Sequence, residues 1–263
     1  MRVFARAWAL GFAAVLWLTV AAGAAEIKVM ISAGFFSVYK ELGPAFEKST
    51  GHKLVTTRGP SVGDSPEAIP TRLSRGEEAD VVIMDGVGVD LLEQRDLARP
   101  GSRIPLAESF IGMVVRAGQP KPVIGTMDGL RNTLLEAKSI AVSDSSSGTY
   151  LSTIGFKKLG VADEVAGKTR KIRGPPSGEL VAAVVARGEA EVGFQQVPEL
   201  IHVPGVDFVG TVPSDIQPPT LFVGALPKNS QHPDAAISLM RYLSSSEAAD
   251  VIAKAGLKPL QTR

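Results

Sequence analysis

The chain of 263 residues contains no cysteine. That absence removes disulfides, thiolate nucleophiles and Cys-ligated metals from the chemistry open to it. Histidine is nearly as scarce. His52, His202 and His232 are the only three, and none lie at the i,i+4 spacing with which a helix offers two imidazoles to a metal, so no metal site is expected. Aromatic residues make up 6% of the chain, and no low-complexity segment or internal repeat stands out. Charge of one sign is missing as well: 28 Lys and Arg against 27 Asp and Glu leave a formal net charge of +1. Nucleic acid and anionic membrane are therefore not expected as partners.

Long apolar runs are also absent after the N-terminus. There, Arg2 and Arg6 are basic, Ala7 to Val20 are almost wholly apolar, and Ala22-Gly23-Ala24 offers small residues at cleavage-type spacing. This is the pattern of a secretory signal peptide, assigned to residues 1–24 with cleavage near Ala24. The apolar run is shorter than a membrane span of roughly 20 residues and lacks a basic stop-transfer flank, which leaves an uncleaved anchor as the weaker alternative. About 240 residues remain, enough for one large domain or two lobes with cores of their own.

Ile27, Val29 and Ile31 alternate with other residues as in a strand. The helix expected next carries Val38, Leu42 and Phe46 on one face, with Gly43-Pro44 expected to kink or interrupt it. The same reading gives strands at 53–57, 79–84, 109–116, 139–143, 171–173, 191–196, 206–211 and 220–225. Helices fall near 67–77, 89–95, 127–137, 149–159, 178–187 and 234–255. Alternating strands and helices indicate an α/β protein with largely parallel sheet. Two lobes are expected, residues 25–110 with about 213–263 forming one and about 111–212 the other; a single doubly wound domain is the alternative.

In either architecture ligands bind at the carboxyl ends of strands. The loops found there carry Gly34 and Phe35; Arg58, Ser61, Asp64 and Ser65; Asp85; Ser145, Ser146, Ser147 and Gly148; and Gln195 with Gln196. The run Ser143-Asp144-Ser145-Ser146-Ser147-Gly148-Thr149-Tyr150 stands between a strand and a helix. It can seat an anion on the free N–H groups of the first helical turn, or it can simply cap that helix. Arg58 suits a carboxylate, because its guanidinium matches one bidentately; a solvated loop arginine is the other reading. By alternation, one of Gln195 and Gln196 is expected to line a cleft. No Ser-His-Asp arrangement, phosphate-cradling loop or dinucleotide fingerprint is present.

Three stretches carry a family resemblance: Arg75-Gly76-Glu77-Glu78-Ala79-Asp80-Val81-Val82-Ile83, Phe156-Lys157-Lys158-Leu159-Gly160 and Arg187-Gly188-Glu189-Ala190-Glu191-Val192-Gly193-Phe194. With the exported N-terminus, they resemble the molybdate-binding-protein-like (type II) branch of periplasmic solute-binding proteins. The resemblance implies two α/β lobes that clamp a small anion, a periplasmic location, and delivery of solute to an ABC permease; a monomer is the default expectation. The chain departs from that branch at its oxyanion ligands. Gly34 aligns with a serine, Gln195 aligns with a tyrosine, and Arg58-Gly59-Pro60-Ser61 enters a longer loop, which argues for a polycarboxylate over a bare tetrahedral oxyanion.

Gly59-Pro60-Ser61 with Gly63-Asp64, Ala68-Ile69-Pro70, the serine run and Phe194-Gln195-Gln196 resemble a sub-branch with aconitate isomerase activity. That resemblance implies cofactor-free allylic proton transfer between trans- and cis-aconitate. Arg58, the serine hydroxyls and helix N–H groups would hold the dienolate. Asp64 and Asp85 are the candidate bases, with Tyr150 or a serine outside them. Each has a structural alternative: Asp64 shaping its turn, Asp85 capping the next helix, Tyr150 packing within its own. The competing function is an ABC-importer binding protein for a small carboxylate or oxyanion.

Overall fold

A computed structural model describes residues 23–63 and 65–260. Most of the signal-peptide assignment, residues 1–22, and the candidate base Asp64 lie outside the described residues.

The chain runs β1 (Glu26–Ile31), α1 (Ala33–Thr50), β2 (Lys53–Arg58), α2 (Ile69–Ser74), β3 (Val81–Asp85), α3 (Gly86–Gln94), β4 (Ile104–Ser109) and β5 (Ile111–Arg116). Next come α4 (Met127–Glu136), β6 (Ile140–Ser143), α5 (Ser146–Tyr150), a π-helical turn (Leu151–Gly155), α6 (Phe156–Lys158), α7 (Ala162–Ala166), β7 (Thr169–Ile172), α8 (Val181–Ala186) and β8 (Val192–Gln196). A 3₁₀ turn (Val197–Glu199), β9 (Val206–Thr211), β10 (Thr220–Ala225), α9 (Pro233–Leu243), α10 (Ala249–Lys254) and β11 (Lys258–Pro259) complete it.

Two sheets result, ordered β11-β4-β10-β3-β1-β2 and β7-β6-β8-β5-β9. Each is covered on both faces. In the first, Phe35, Phe46 and Leu239 pack on one side and Ile69, Met84 and Leu92 on the other. In the second, Leu130, Phe156 and Phe194 oppose Val181, Val184 and Val185. Burial from both sides explains why β3, β6 and β8 are buried at every position instead of alternating.

The sheets are mixed, which corrects the expectation of largely parallel pairing. β1 pairs β2 and β3 in parallel and β6 pairs β7 and β8 in parallel, but β10 and β5 run antiparallel to their neighbours. Those strands follow the chain crossings between sheets, so they return in the opposite sense. The strand expected over 109–116 is β5; β4, which was not expected, precedes it in the other sheet with only Phe110 between them. Pro105 hides β4 from a sequence reading. It is accommodated where the register with β10 shifts between Phe222 and Val223.

α1 continues through Pro44, so the interruption considered there does not occur. Pro44 is on the exposed face, where the carbonyl it leaves unbonded is open to water. The C-terminal helix region is divided into α9 and α10 by a 3₁₀ turn at Ser246–Ala248.

One buried amide ties the two crossings together. Gln217 Oε1 accepts from the Ile111 N–H at 2.6 Å, while its Nε2 donates to the carbonyls of Ile111 and Val212 at 3.0 and 2.8 Å.

Phe194, fully buried in β8 behind the serine turn, is the test of how the second sheet supports its cleft wall. Phe194→Ala should cost about 3–5 kcal/mol of stability, read by urea unfolding; a loss below about 1 kcal/mol would mean that the core around it collapses without strain.

Candidate functional site

The carboxyl ends of β1, β2 and β3 face those of β6, β7 and β8 across a cleft of about 480 Å³, mouth included. One wall is made by Ser32, Ala33, Gly34, Gly59, Pro60, Ser61, Asp85 and Phe222. The other is made by Ser143 to Ser147, Gly174, Pro175, Gln195, Gln196 and Glu199.

The serine run opens α5, but not by ordinary capping. Ser145 holds the N-cap position with extended backbone and makes no side-chain capping bond. Its hydroxyl meets that of Ser143 at 2.9 Å, and Ser143 also meets Ser147 Oγ at 3.2 Å and accepts the Gly148 N–H at 3.2 Å. The N–H groups of Ser146 and Ser147 therefore have no protein acceptor among the described residues, and they belong to the positive end of the helix. Gly148 is required by closeness: a Cβ there would be 1.9 Å from the Ser143 carbonyl oxygen.

A second helix begins at the opposite wall. Ser32 precedes α1, again without a side-chain cap, and its buried hydroxyl has no partner. Gly34 borders the cleft because the Phe222 ring lies across the helix start, 2.3 Å from where a Cβ would stand. Phe35 does not border it. Successive helical residues point about 100° apart, and Phe35 turns fully into the core, its ring centroid 6.4 Å from that of Phe222. Its sequence-based assignment to the ligand is corrected accordingly.

Asp85 borders the cleft, yet both of its oxygens are engaged. Oδ1 accepts from the Gly88 N–H at 2.8 Å, capping α3, and Oδ2 accepts the Ser146 hydroxyl proton at 2.5 Å from across the cleft. The Ser61 hydroxyl accepts the Asp85 N–H at 3.3 Å. A second bridge between the walls, Arg173 to Glu67 at 3.0 Å, is more exposed and correspondingly weaker.

Arg58 is not among the cleft-lining residues. Its guanidinium stacks 4.1 Å above the Phe36 ring, with Nε buried and unpartnered, and burial lowers its pKa. Tyr150 is likewise held away from the cleft: its hydroxyl donates to the Ile216 carbonyl at 2.8 Å. Both glutamines border the cleft, whereas alternation predicted one. Gln195 is locked by the Val181 N–H on Oε1 at 3.0 Å, with Nε2 donating to Glu199 at 2.6 Å. Gln196 meets Thr220 Oγ1 at 2.9 Å and leaves the other end of its amide unpartnered. Because a threonine hydroxyl can donate or accept, that free end can offer a ligand either an oxygen or an NH₂.

Glu199 escaped the sequence reading. It sits in the turn after β8, buried, and desolvation pushes its carboxyl up to about 8. The positive charge of Arg58 and the Gln195 hydrogen bond oppose that shift, while Asp144 adds to it. The available signal was positional: Glu199 follows Gln195-Gln196 within the same strand-end loop. Ser32, Gly174, Pro175 and Phe222 also line the cleft without having been singled out, and Ser143 and Asp144 line it as part of the serine run.

The model of the family described as "Bacterial extracellular solute-binding protein" matches residues 27–258. The chain is 47% identical to an aconitate isomerase from Pseudomonas sp over 234 residues, 89% of this chain and 88% of the relative. It is 27% identical to the molybdate-binding protein ModA of Azotobacter vinelandii, over 89% and 90% of the two chains. In structure it is similar to the Azotobacter vinelandii periplasmic molybdate-binding protein, with a TM-score of 0.71 at 21% identity over 90% of this chain and all of the other. The sulfate-binding protein SubI of Mycobacterium tuberculosis gives 0.68 at 17% identity, over 91% and 88%. These structural likenesses establish the two-lobed α/β binding-protein fold, and the family match establishes kinship: the chain belongs to the bacterial extracellular solute-binding proteins.

Proposed function

We propose that this protein is a periplasmic aconitate isomerase, interconverting trans- and cis-aconitate in the cleft between its lobes by proton transfer without a cofactor. The observation that carries the reading is 47% identity with an aconitate isomerase along 89% of the chain, against 27% with a molybdate-binding relative. The secretory pattern at the N-terminus supports the location.

The geometry suits the substrate. Aconitate carries carboxylates at three points, and the cleft offers anion-binding groups on both walls: the start of α1 with Ser32, and the serine turn that opens α5. Negative charge moves into the carboxylates as the allylic proton leaves, so fixed N–H groups and hydroxyls placed there stabilise the dienolate more than the ground state. Closure of the lobes around the substrate excludes water and strengthens those contacts.

Proton NMR of the mature protein with trans-aconitate in deuterated buffer tests the reading. Conversion to cis-aconitate with deuterium entering the allylic positions is the expected result. Tight binding of unchanged aconitate would instead make the protein a receptor in the manner of its importer-linked relatives. Ser146→Ala should remove a hydrogen bond to a charged group, worth about 1.5–3 kcal/mol, from across the cleft. Affinity for trans-aconitate in isothermal titration calorimetry should then fall roughly tenfold or more; an unchanged affinity would separate the Ser146–Asp85 contact from closure.

A further inference from the structure

The cleft is bordered by three carboxylates, Asp85, Asp144 and Glu199, and by no histidine, lysine, arginine or tyrosine among the described residues. They are not equivalent. Asp85 has both oxygens committed to fixed donors, as described above. Asp144 is only half-buried and accepts the Gly174 N–H on Oδ1 at 3.1 Å. Glu199 is buried, holds one oxygen against Gln195, and has no hydrogen-bond partner for the other among the described residues.

Gln195 makes this arrangement directional. Because its Oε1 accepts from a backbone N–H, its amide is fixed with NH₂ toward Glu199. The carboxyl is held by one oxygen at an inner wall of the cleft while the other remains available. The turn itself is anchored where the chain crosses between lobes, since the Val197 N–H donates to the Phe110 carbonyl at 3.0 Å.

The geometry points to Glu199 as the catalytic residue that carries the proton between the two allylic carbons of the tricarboxylate, an assignment that rests on the isomerase reading. The ionised carboxylate takes the proton from the substrate methylene, breaking one C–H bond while the electron pair moves into the dienolate. The same oxygen then returns the proton to the former vinylic carbon, forming the new C–H bond as the double bond shifts. One proton leaves and one is restored, and no electron is gained or lost overall.

A carboxyl in a dry position is a stronger base than one in water, which a weakly acidic carbon requires. The charged groups acting on Glu199 are Arg58 from β2 and Asp144 from the loop after β6. α1 packs against the same turn, and its residues Ala33 to Tyr39 carry no charge. In the free enzyme the ionised fraction grows as pH rises towards about 8, so kcat/KM should climb to an inflection in that region.

Stability gives a readout independent of turnover. An unfolded glutamate titrates near its ordinary 4.5, while the folded one holds its proton to about 8. The folded state therefore binds more protons between those values, and stability should decline as pH rises through that window and level off above it. Glu199→Gln should abolish that part of the slope.

The experiment compares wild type, Glu199→Gln and Glu199→Asp by NMR turnover and deuterium exchange, calorimetric binding of trans-aconitate, and urea unfolding from pH 5 to 9. Glu199→Gln should lose about 10²–10⁴-fold in kcat with exchange reduced in proportion and binding changed only a few-fold; Glu199→Asp should be intermediate. Turnover by Glu199→Gln within tenfold of wild type would overturn the assignment alone. A flat wild-type kcat/KM profile over the same pH range would do so even if the variants fail to fold. Wild type that binds without converting aconitate would overturn the isomerase reading, and the assignment with it.

Discussion

Free N–H groups at the start of a helix normally find a capping side chain or water. Here two such helix starts, at α1 and α5, open without side-chain caps onto one cleft from opposite walls. The surrounding architecture serves that confrontation. Parallel β1–β3 and β6–β8 end at the same cleft, and both faces of each sheet are buried, so the strand ends are rigid platforms. The serines nearest α5 hydrogen-bond mainly to one another, which positions hydroxyls without using up the helix donors.

Three acidic side chains share this cleft, and environment divides them. Donors surround Asp85, whose two oxygens cap α3 and bridge the walls. Burial dominates at Glu199, which favours its neutral form. A carboxyl fully engaged by donors and another left dry are thus placed in one pocket by their surroundings alone. A binding-protein scaffold needs little reconstruction for this chemistry, because anion seats on both walls and water exclusion already belong to it. Fold and activity are correspondingly loosely tied in such families.

Sequence pattern exposed what depends on neighbouring residues. The strand-end loops, the serine turn before α5, and β9 and β10 were all legible from alternation and turn chemistry. Where a side chain's partner is distant in the chain, the pattern was silent. Glu199 acquires its character from burial, Arg58 and Asp144, none of which its local sequence announces. Phe35 stands beside a cleft residue, but helical rotation sends it to the core. Arg58 ends its strand as expected, then finds the Phe36 ring instead of the cleft. Pro44 misled because it lacks an N–H at a position where local surroundings tolerate the loss, and Pro105 in β4 is tolerated in the same way.

The Gln217 amide, bonded to Ile111 and Val212 at both chain crossings, has a mechanical corollary. Two separate tethers would let the lobes slide, shear and twist past each other. A pinned pair behaves as a door hinge and concentrates movement into rotation about one line. Ligand entry and departure would then share one arc, coupled through a side chain that does not border the cleft.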